Sequence, residues 1–87
     1  MSPAPAIGAG METPIATVDA RGHRCPVPTL RLRKALEQIG PGELVRLLAD
    51  DPMARIDVPH FAAAGGHEVV AVEDQDAAMA FTVRKAG

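Results

Sequence analysis

Cys25 is the only cysteine in this 87-residue sequence, and it lies within a stretch whose residue types indicate covalent chemistry (residues 24–28, RCPVP). A helix-like run follows directly. Pro26 suits the first position of a helix and Pro28 still lies in its first turn, so neither proline costs an intrahelical hydrogen bond. With Cys25 as the N-cap residue, the amide of Val27 would be the free donor best placed to meet the sulfur. The pattern predicts an exposed, reactive thiolate at a helix N-terminus.

The charges near Cys25 in the sequence favour ionisation of its thiol. A free cysteine has a pKa of about 8.5, and a helix N-terminus with nearby cations lowers it to ~7 or below. The alternative is a buried small hydrophobic residue, as many lone cysteines are, but the basic and proline neighbours favour a functional thiol. No acidic residue falls between positions 20 and 36, and all eleven carboxylates lie elsewhere. The basic residues in that interval are Arg21, Arg24, Arg31, Arg33 and Lys34.

Other chemical roles for a single thiol require additional residues, and the sequence offers few of them. A hydrolase-type nucleophile needs an oriented base, and His23, two residues before the cysteine, has no obvious orienting group. A dithiol oxidoreductase needs a second cysteine. A metal site needs clustered ligands, which His60, His67 and Asp57 do not form by their spacing, so no metal or cofactor is expected. What remains is a thiolate that attacks or carries something without a local base, and a carried sulfane sulfur fits well.

Size and composition indicate one small globular domain. The net charge of −2 argues against general binding to nucleic acid or membrane surfaces. No apolar run approaches the ~20 residues that span a bilayer. One cysteine cannot form an internal disulfide, and we expect a cytoplasmic location. Residues 1–14 lack both a basic head and an apolar block, so we interpret them as a flexible tail rather than a signal peptide, preceding a domain at residues 15–87.

Hydrophobic periodicity predicts the order β-α-β-α-β-β. The first connection should join parallel strands, and a short acidic turn at residues 73–76 should make the last two strands antiparallel. Two helices are too few to cover both faces of so small a sheet. The predicted fold is therefore an α/β two-layer sandwich, with both helices on one face of a four-stranded mixed sheet. The predicted strands are Ile15–Ala20, Glu43–Asp50, His67–Asp74 and Met79–Lys85.

The two predicted helices differ in how clearly the sequence defines them. The first runs from Pro26 to about Ile39 and ends at a glycine and a proline. The second segment starts at Asp51, as N-cap, and ends at two glycines. Pro59 interrupts it, and the sequence leaves open whether this proline kinks one helix or splits the segment.

Helical geometry divides the first helix into a core stripe and an outer side. The outer side carries two apolar residues within about a turn of Cys25, next to basic residues. They are either ordinary scattered surface residues or a docking patch for a partner protein, and the spacing leaves both open. The core stripe is predicted to be Thr29, Leu32, Ala35, Leu36 and Ile39. The outer side is Val27, Leu30, Arg31, Lys34 and Gln38, with Arg33 at the flank.

Several segments resemble the TusA (SirA-like) sulfur carrier family across residues 16–86. They are residues 19–28 (DARGHRCPVP), 33–36 (RKAL), 41–43 (PGE), 50–52 (DDP), 57–61 (DVPHF) and 66–68 (GHE). The resemblance implies that Cys25 accepts sulfur from a cysteine desulfurase or rhodanese-like donor and relays it as a persulfide. The acceptors implied serve tRNA thiolation, molybdenum cofactor metabolism or sulfur oxidation. His23 departs from the family, whose members often have leucine there.

The sequence thus predicts a persulfide carrier at Cys25, of sulfurtransferase type rather than an independent multi-turnover enzyme, and a monomer in the absence of its partners. Pro26 and Pro28 would fix the helix start. The alternatives are a regulatory or RNA-binding module using the basic face of the first helix, and a thiol enzyme with His23 as base. Net acidity and the lack of aromatic stacking residues count against RNA. The predicted partner-binding residues are Arg24, Val27, Leu30, Arg31, Arg33 and Lys34.

Overall fold

The computed structural model describes residues 13–86, so the predicted tail lies outside the described residues except for its last two positions. The order of elements is the predicted one. No helix in the described range is long and apolar enough to cross a membrane. The elements are β1 (Ala16–Asp19), α1 (Val27–Glu37), β2 (Leu44–Ala49), α2 (Ala54–Ala64), β3 (Glu68–Gln75) and β4 (Ala78–Arg84).

The four strands form one mixed sheet in the order β1-β2-β4-β3. β1 runs parallel to β2, whereas β4 is antiparallel to both β2 and β3. The predicted parallel first pair, antiparallel last pair and four-stranded mixed sheet are therefore confirmed. Because β1 and β2 are parallel neighbours, the segments that follow them emerge at the same edge of the sheet. This edge is where Cys25 lies.

The core lies between the sheet and the two helices. On the central strands, alternate residues face the helices, and the register places Leu47 opposite Phe81 and Val45 opposite Val83. All four side chains are buried. The opposite face is more polar and carries two ion pairs, Arg46–Glu73 and Arg84–Glu68. The helices contribute Leu32, Leu36, Ala54, Val58 and Ala62 to the core.

The start of α1 differs from the prediction. The helix begins at Val27 with Pro26 as its N-cap residue, and the Cys25–Pro26 peptide bond is cis. The amide of Val27 donates to the carbonyl of Arg24 at 2.9 Å, so it is not free to meet the sulfur. Both the N-cap role of Cys25 and the sulfur-binding role of the Val27 amide are therefore wrong. Pro28 is buried in the core stripe, while Thr29 is only partly buried.

α2 is one continuous helix with Pro59 inside it, so of the two alternatives that the sequence left open, the segment is not split. It also begins two residues later than expected, at Ala54 rather than Pro52. The Asp51 side chain accepts a hydrogen bond from the Met53 amide at 3.0 Å, and the Asp51 carbonyl accepts one from Ala54 at 2.9 Å. These bonds form a turn ahead of the helix, and the N-cap residue is Met53 rather than Asp51.

The predicted acidic turn at residues 73–76 is wrong, because β3 continues to Gln75 and the turn lies at residues 76–77. Two acidic residues extend the strand because each forms an ion pair. Glu73 pairs with Arg46 of β2, and Asp74 pairs with Arg55 of α2. Asp76 takes the tight turn with a φ of 52°, in the left-handed region that aspartate tolerates.

Candidate functional site

Cys25 lies in the loop between β1 and α1, where it is partly buried and packs against the hydrophobic core. Its backbone amide donates a hydrogen bond to Oδ2 of Asp51 at 2.8 Å. Asp51 precedes α2, so this bond ties the cysteine to the beginning of the second helix. The thiol therefore lies between the starts of two helices rather than at the exposed tip of one.

Two consecutive aspartates after β2 hold the loop that carries the thiol. Both oxygens of Asp50 accept from the Gly22 amide at 3.0 Å, and Asp51 accepts from the amides of Cys25 and Met53. Gly22 has a φ of 85°, which favours glycine. The two backbone hydrogen bonds lower the pKa of the Asp51 carboxyl below its ordinary value. The position of the cysteine is thus set by carboxylates on the neighbouring loop.

The electrostatic surroundings of the thiol are the reverse of the prediction. Burial raises the pKa of Cys25 from 9.0 to about 11, and hydrogen bonding and negative charge from Asp57 and Asp51 contribute to the shift. The fold brings these two carboxylates to the sulfur although both lie more than twenty residues further along the chain. The predicted lowering of the pKa is therefore wrong, and the resting form at neutral pH is the protonated thiol.

An open cleft of about 310 Å³ lies beside the loop. His23 is exposed in its wall, and no hydrogen bond joins its side chain to another of the residues 13–86. The cleft therefore offers no oriented base of the kind that a His23-dependent thiol enzyme needs. Across the same range, no three His, Cys, Asp or Glu side chains are grouped as metal ligands. The cleft is lined by Gly22, His23, Arg24, Asp50, Asp51 and Pro52.

The residues predicted to bind a partner are mostly on the surface. Leu30 is 55% exposed on α1, and Val27 is half-buried. Two of the cations have local partners, since Arg33 pairs with Glu37 at 3.4 Å and Arg31 donates to the Asp19 carbonyl at 3.4 Å. Arg24, Arg31, Arg33 and Lys34 are all exposed. The structure thus gives α1 an apolar and basic outer surface.

Sequence reasoning missed two sets of residues beside this site. Met53 and Ile56 expose 49% and 64% of their surface near the start of α2, and they add apolar area that the prediction did not include. Their spacing of three, set against the buried Ala54 and Val58, was the signal that could have identified them. The predicted parallel pairing could have placed Asp51 and Asp57 on the same side of the fold as Cys25, because segments that follow neighbouring parallel strands meet at one edge of the sheet.

The fold and the site together define a small single-thiol α/β protein, whose one cysteine lies in the loop leading to the first helix. A family model described as Sulfurtransferase TusA matches residues 16–85, so the chain belongs to that family. The crystal structure of a SirA-like protein from Desulfitobacterium hafniense is similar, with a TM-score of 0.74 and 28% sequence identity. The match covers 84% of this chain and 100% of that one. The predicted fold and family are confirmed.

Proposed function

We propose that this protein is a sulfur carrier, in which Cys25 receives a sulfane sulfur as a persulfide and passes it to an acceptor. The observation that carries the proposal is the position of the chain's one thiol, in a loop between two helix starts, in a member of the sulfurtransferase family. A thiol at this location can be presented to the active site of another protein without unfolding any helix or strand.

The chemistry needs one cysteine and no change of oxidation state overall. A donor persulfide and the Cys25 thiol become a donor thiol and a Cys25 persulfide. Delivery to the acceptor is the same exchange with Cys25 as the persulfide. Because sulfur enters and leaves on one atom, a second cysteine is not required, which agrees with the composition of the chain.

The donor in this proposal is a cysteine desulfurase or a rhodanese-like protein in the cytoplasm, and the acceptor is a further protein of sulfur metabolism. The acceptor would belong to tRNA thiolation, to molybdenum cofactor metabolism or to sulfur oxidation. In this scheme the protein is a stoichiometric carrier, and its turnover depends on both partners.

The proposal is tested by loading the protein with sulfur. Incubation with a cysteine desulfurase and L-cysteine is expected to add one sulfur atom per chain, detected by intact-mass spectrometry and removed by dithiothreitol. Cys25→Ser is expected to accept none, because the serine hydroxyl cannot form the S–S bond. A wild-type protein that gains no sulfur from either a desulfurase or a rhodanese would overturn the proposed function.

A second prediction concerns the outer surface of α1. Leu30→Asp is expected to slow sulfur transfer from a protein donor by about tenfold at limiting concentration, because a partly exposed apolar anchor contributes ~1 kcal/mol or more to binding. Lys34→Glu is expected to slow sulfur transfer by a smaller factor. Both variants should keep the wild-type melting temperature and the wild-type rate of thiol alkylation.

Ile15→Asp is the matched control for Leu30→Asp. Ile15 is 53% exposed and precedes β1, at the opposite end of that strand from the cysteine loop. The control is expected to transfer sulfur at the wild-type rate. Equal rates for Leu30→Asp and Ile15→Asp would show that the α1 surface does not bind the donor.

A further inference from the structure

The Asp51 side chain bonds to two backbone amides at once. Its Oδ2 atom accepts from the Cys25 amide at 2.8 Å, and its Oδ1 atom accepts from the Met53 amide at 3.0 Å. The second bond is local, since aspartate commonly accepts from the residue two positions further along the chain. The first bond joins segments that are 26 residues apart in the sequence. One carboxylate therefore fixes the loop that carries the thiol to the turn that precedes α2.

The backbone of residues 21–25 has few other contacts that hold it in place. Within the part of the chain that the structure describes, its one further hydrogen-bonded contact with a distant segment runs from the Gly22 amide to both oxygens of Asp50 at 3.0 Å. Asp51 is the acceptor for the amide of the cysteine itself. Without the Asp51 carboxylate, Asp50 would still hold the start of the loop, but the residue that bears the sulfur would be released.

The charge of Asp51 is unfavourable for ionisation of the thiol. After burial and Asp57, it is among the causes that raise the pKa of Cys25 to about 11. The carboxyl of Asp51 is itself ionised at neutral pH, because the two amide bonds lower its pKa. Asp51 therefore does not activate the sulfur. What it supplies is geometry, since hydrogen bonds from amides to a carboxylate are short and strong.

We propose that Asp51 is a positioning residue for sulfur transfer: it holds the backbone of Cys25 so that the sulfur meets the persulfide of a docked protein donor. This inference rests on the proposed carrier function. The Cys25 sulfur, once its proton has passed to water, attacks the outer sulfur of the donor persulfide. The new S–S bond forms as the donor's S–S bond breaks, and the donor's cysteine sulfur keeps the electron pair and takes up a proton. No oxidant or reductant is consumed.

The position of the sulfur matters more for a protein donor than for a small one. A docked protein holds its persulfide in its own active site, so the Cys25 sulfur must already lie on the line of attack. A misplacement of about 1 Å can then slow the reaction by ~10²-fold. A small persulfide moves freely and adapts its approach to wherever the Cys25 sulfur lies.

The test compares the two kinds of donor in Asp51→Asn. Asparagine keeps the size of the side chain and can still accept from the Met53 amide, but its NH₂ group cannot accept from the Cys25 amide. Single-turnover acceptance from the protein donor that loads wild type, a desulfurase or a rhodanese, is expected to become ~10- to 10²-fold slower at saturating donor. Acceptance from glutathione persulfide is expected to be at least as fast as in wild type, because loss of the negative charge raises the thiolate population. Any other pattern, such as rates that fall equally with both donors or with neither, would overturn the positioning role.

Asp51→Glu separates the effect of position from the effect of charge. Glutamate keeps the negative charge, so iodoacetamide should alkylate Cys25 at the wild-type rate. Its carboxylate lies one methylene further from the backbone and cannot meet both amides in the same arrangement, so transfer from the protein donor should still be slowed. A glutamate variant that accepts sulfur from the protein donor at the wild-type rate would assign the effect to charge and refute the role of position.

Hydrogen exchange measures the bond between Cys25 and Asp51 without any donor. In Asp51→Asn the Cys25 amide is expected to exchange about tenfold faster or more, as for loss of a hydrogen bond to a charged group. The Met53 amide should exchange at the wild-type rate, because its local bond is kept. Unchanged exchange at Cys25 would contradict the premise that this carboxylate holds the cysteine.

Controls distinguish this inference from the carrier function itself. Asp74→Asn makes the same chemical change on β3, where the carboxylate pairs with Arg55, and its rates with both donors should match wild type. If Asp51→Asn does not fold, Asp51→Ser replaces it with the same expected directions, since a serine hydroxyl can keep the local bond to Met53 but is too short to reach Cys25 as well. Wild-type protein that accepts no sulfur refutes the carrier function, whereas transfer from the protein donor that is unaffected by loss of the carboxylate refutes only the role of Asp51.

Discussion

Replacing Phe81 with alanine is expected to lower the free energy of unfolding by about 4 kcal/mol, the size of effect seen when a buried aromatic side chain is deleted. Phe81 is 1% exposed and heads the fully buried side chains by volume. It lies on the strand between β2 and β3, opposite Leu47 on one side and Val72 on the other. Its removal would leave a cavity that neither helix can fill by a small shift, because each packs against further core residues.

Urea denaturation followed by circular dichroism measures this change. Domains of this size are commonly stable by ~5–15 kcal/mol, so the variant should unfold at a much lower urea concentration. Thr82→Ala is the control, since the next residue on β4 faces the opposite side of the sheet and its loss should cost within ~1 kcal/mol. Similar costs for the two variants would contradict the assignment of the buried face.

Iodoacetamide is expected to alkylate Cys25 about a hundredfold more slowly in the folded protein than in the urea-unfolded chain at neutral pH. The pKa of the Cys25 thiol is about 11 in the folded protein, against an ordinary value of 9.0. This is a difference of two pH units, and each unit reduces the thiolate population tenfold. The sign follows from burial, which disfavours the charged form, and from the negative charge of Asp57 and Asp51.

The measurement is the pH dependence of the alkylation rate. For the folded protein the rate should keep rising through pH 10 and approach its midpoint near pH 11, whereas the unfolded chain should reach its midpoint near pH 9. Cys25 is the only cysteine, so the signal needs no correction for other thiols. A folded-state midpoint near neutral pH would instead support a thiolate activated by the surrounding arginines and lysine.

Part of the fold and part of the candidate site could be predicted from the sequence. The order of strands and helices was predictable because alternate residues of β2 and β4 are apolar and the first helix has an apolar stripe at helical spacing. The candidate thiol could be named from the sequence as well, since Cys25 is the only cysteine. The ends of the helices and strands were less predictable. The acidic residues at the end of β3 belong to the strand because they pair with Arg46 and Arg55, which lie far away in the sequence.

The chain by itself therefore determined the fold class, the family motifs and the one cysteine that we propose as the carrier. The tertiary structure alone decided the chemistry of its sulfur atom. Local sequence surrounds Cys25 with cations, but long side chains at exposed positions place their charges in water, where they are screened. The parallel pairing of β1 with β2 instead brings Asp51 and Asp57 to the sulfur. The pKa of a partly buried thiol responds more to carboxylates that the fold brings near it than to the charges that precede and follow it in the chain.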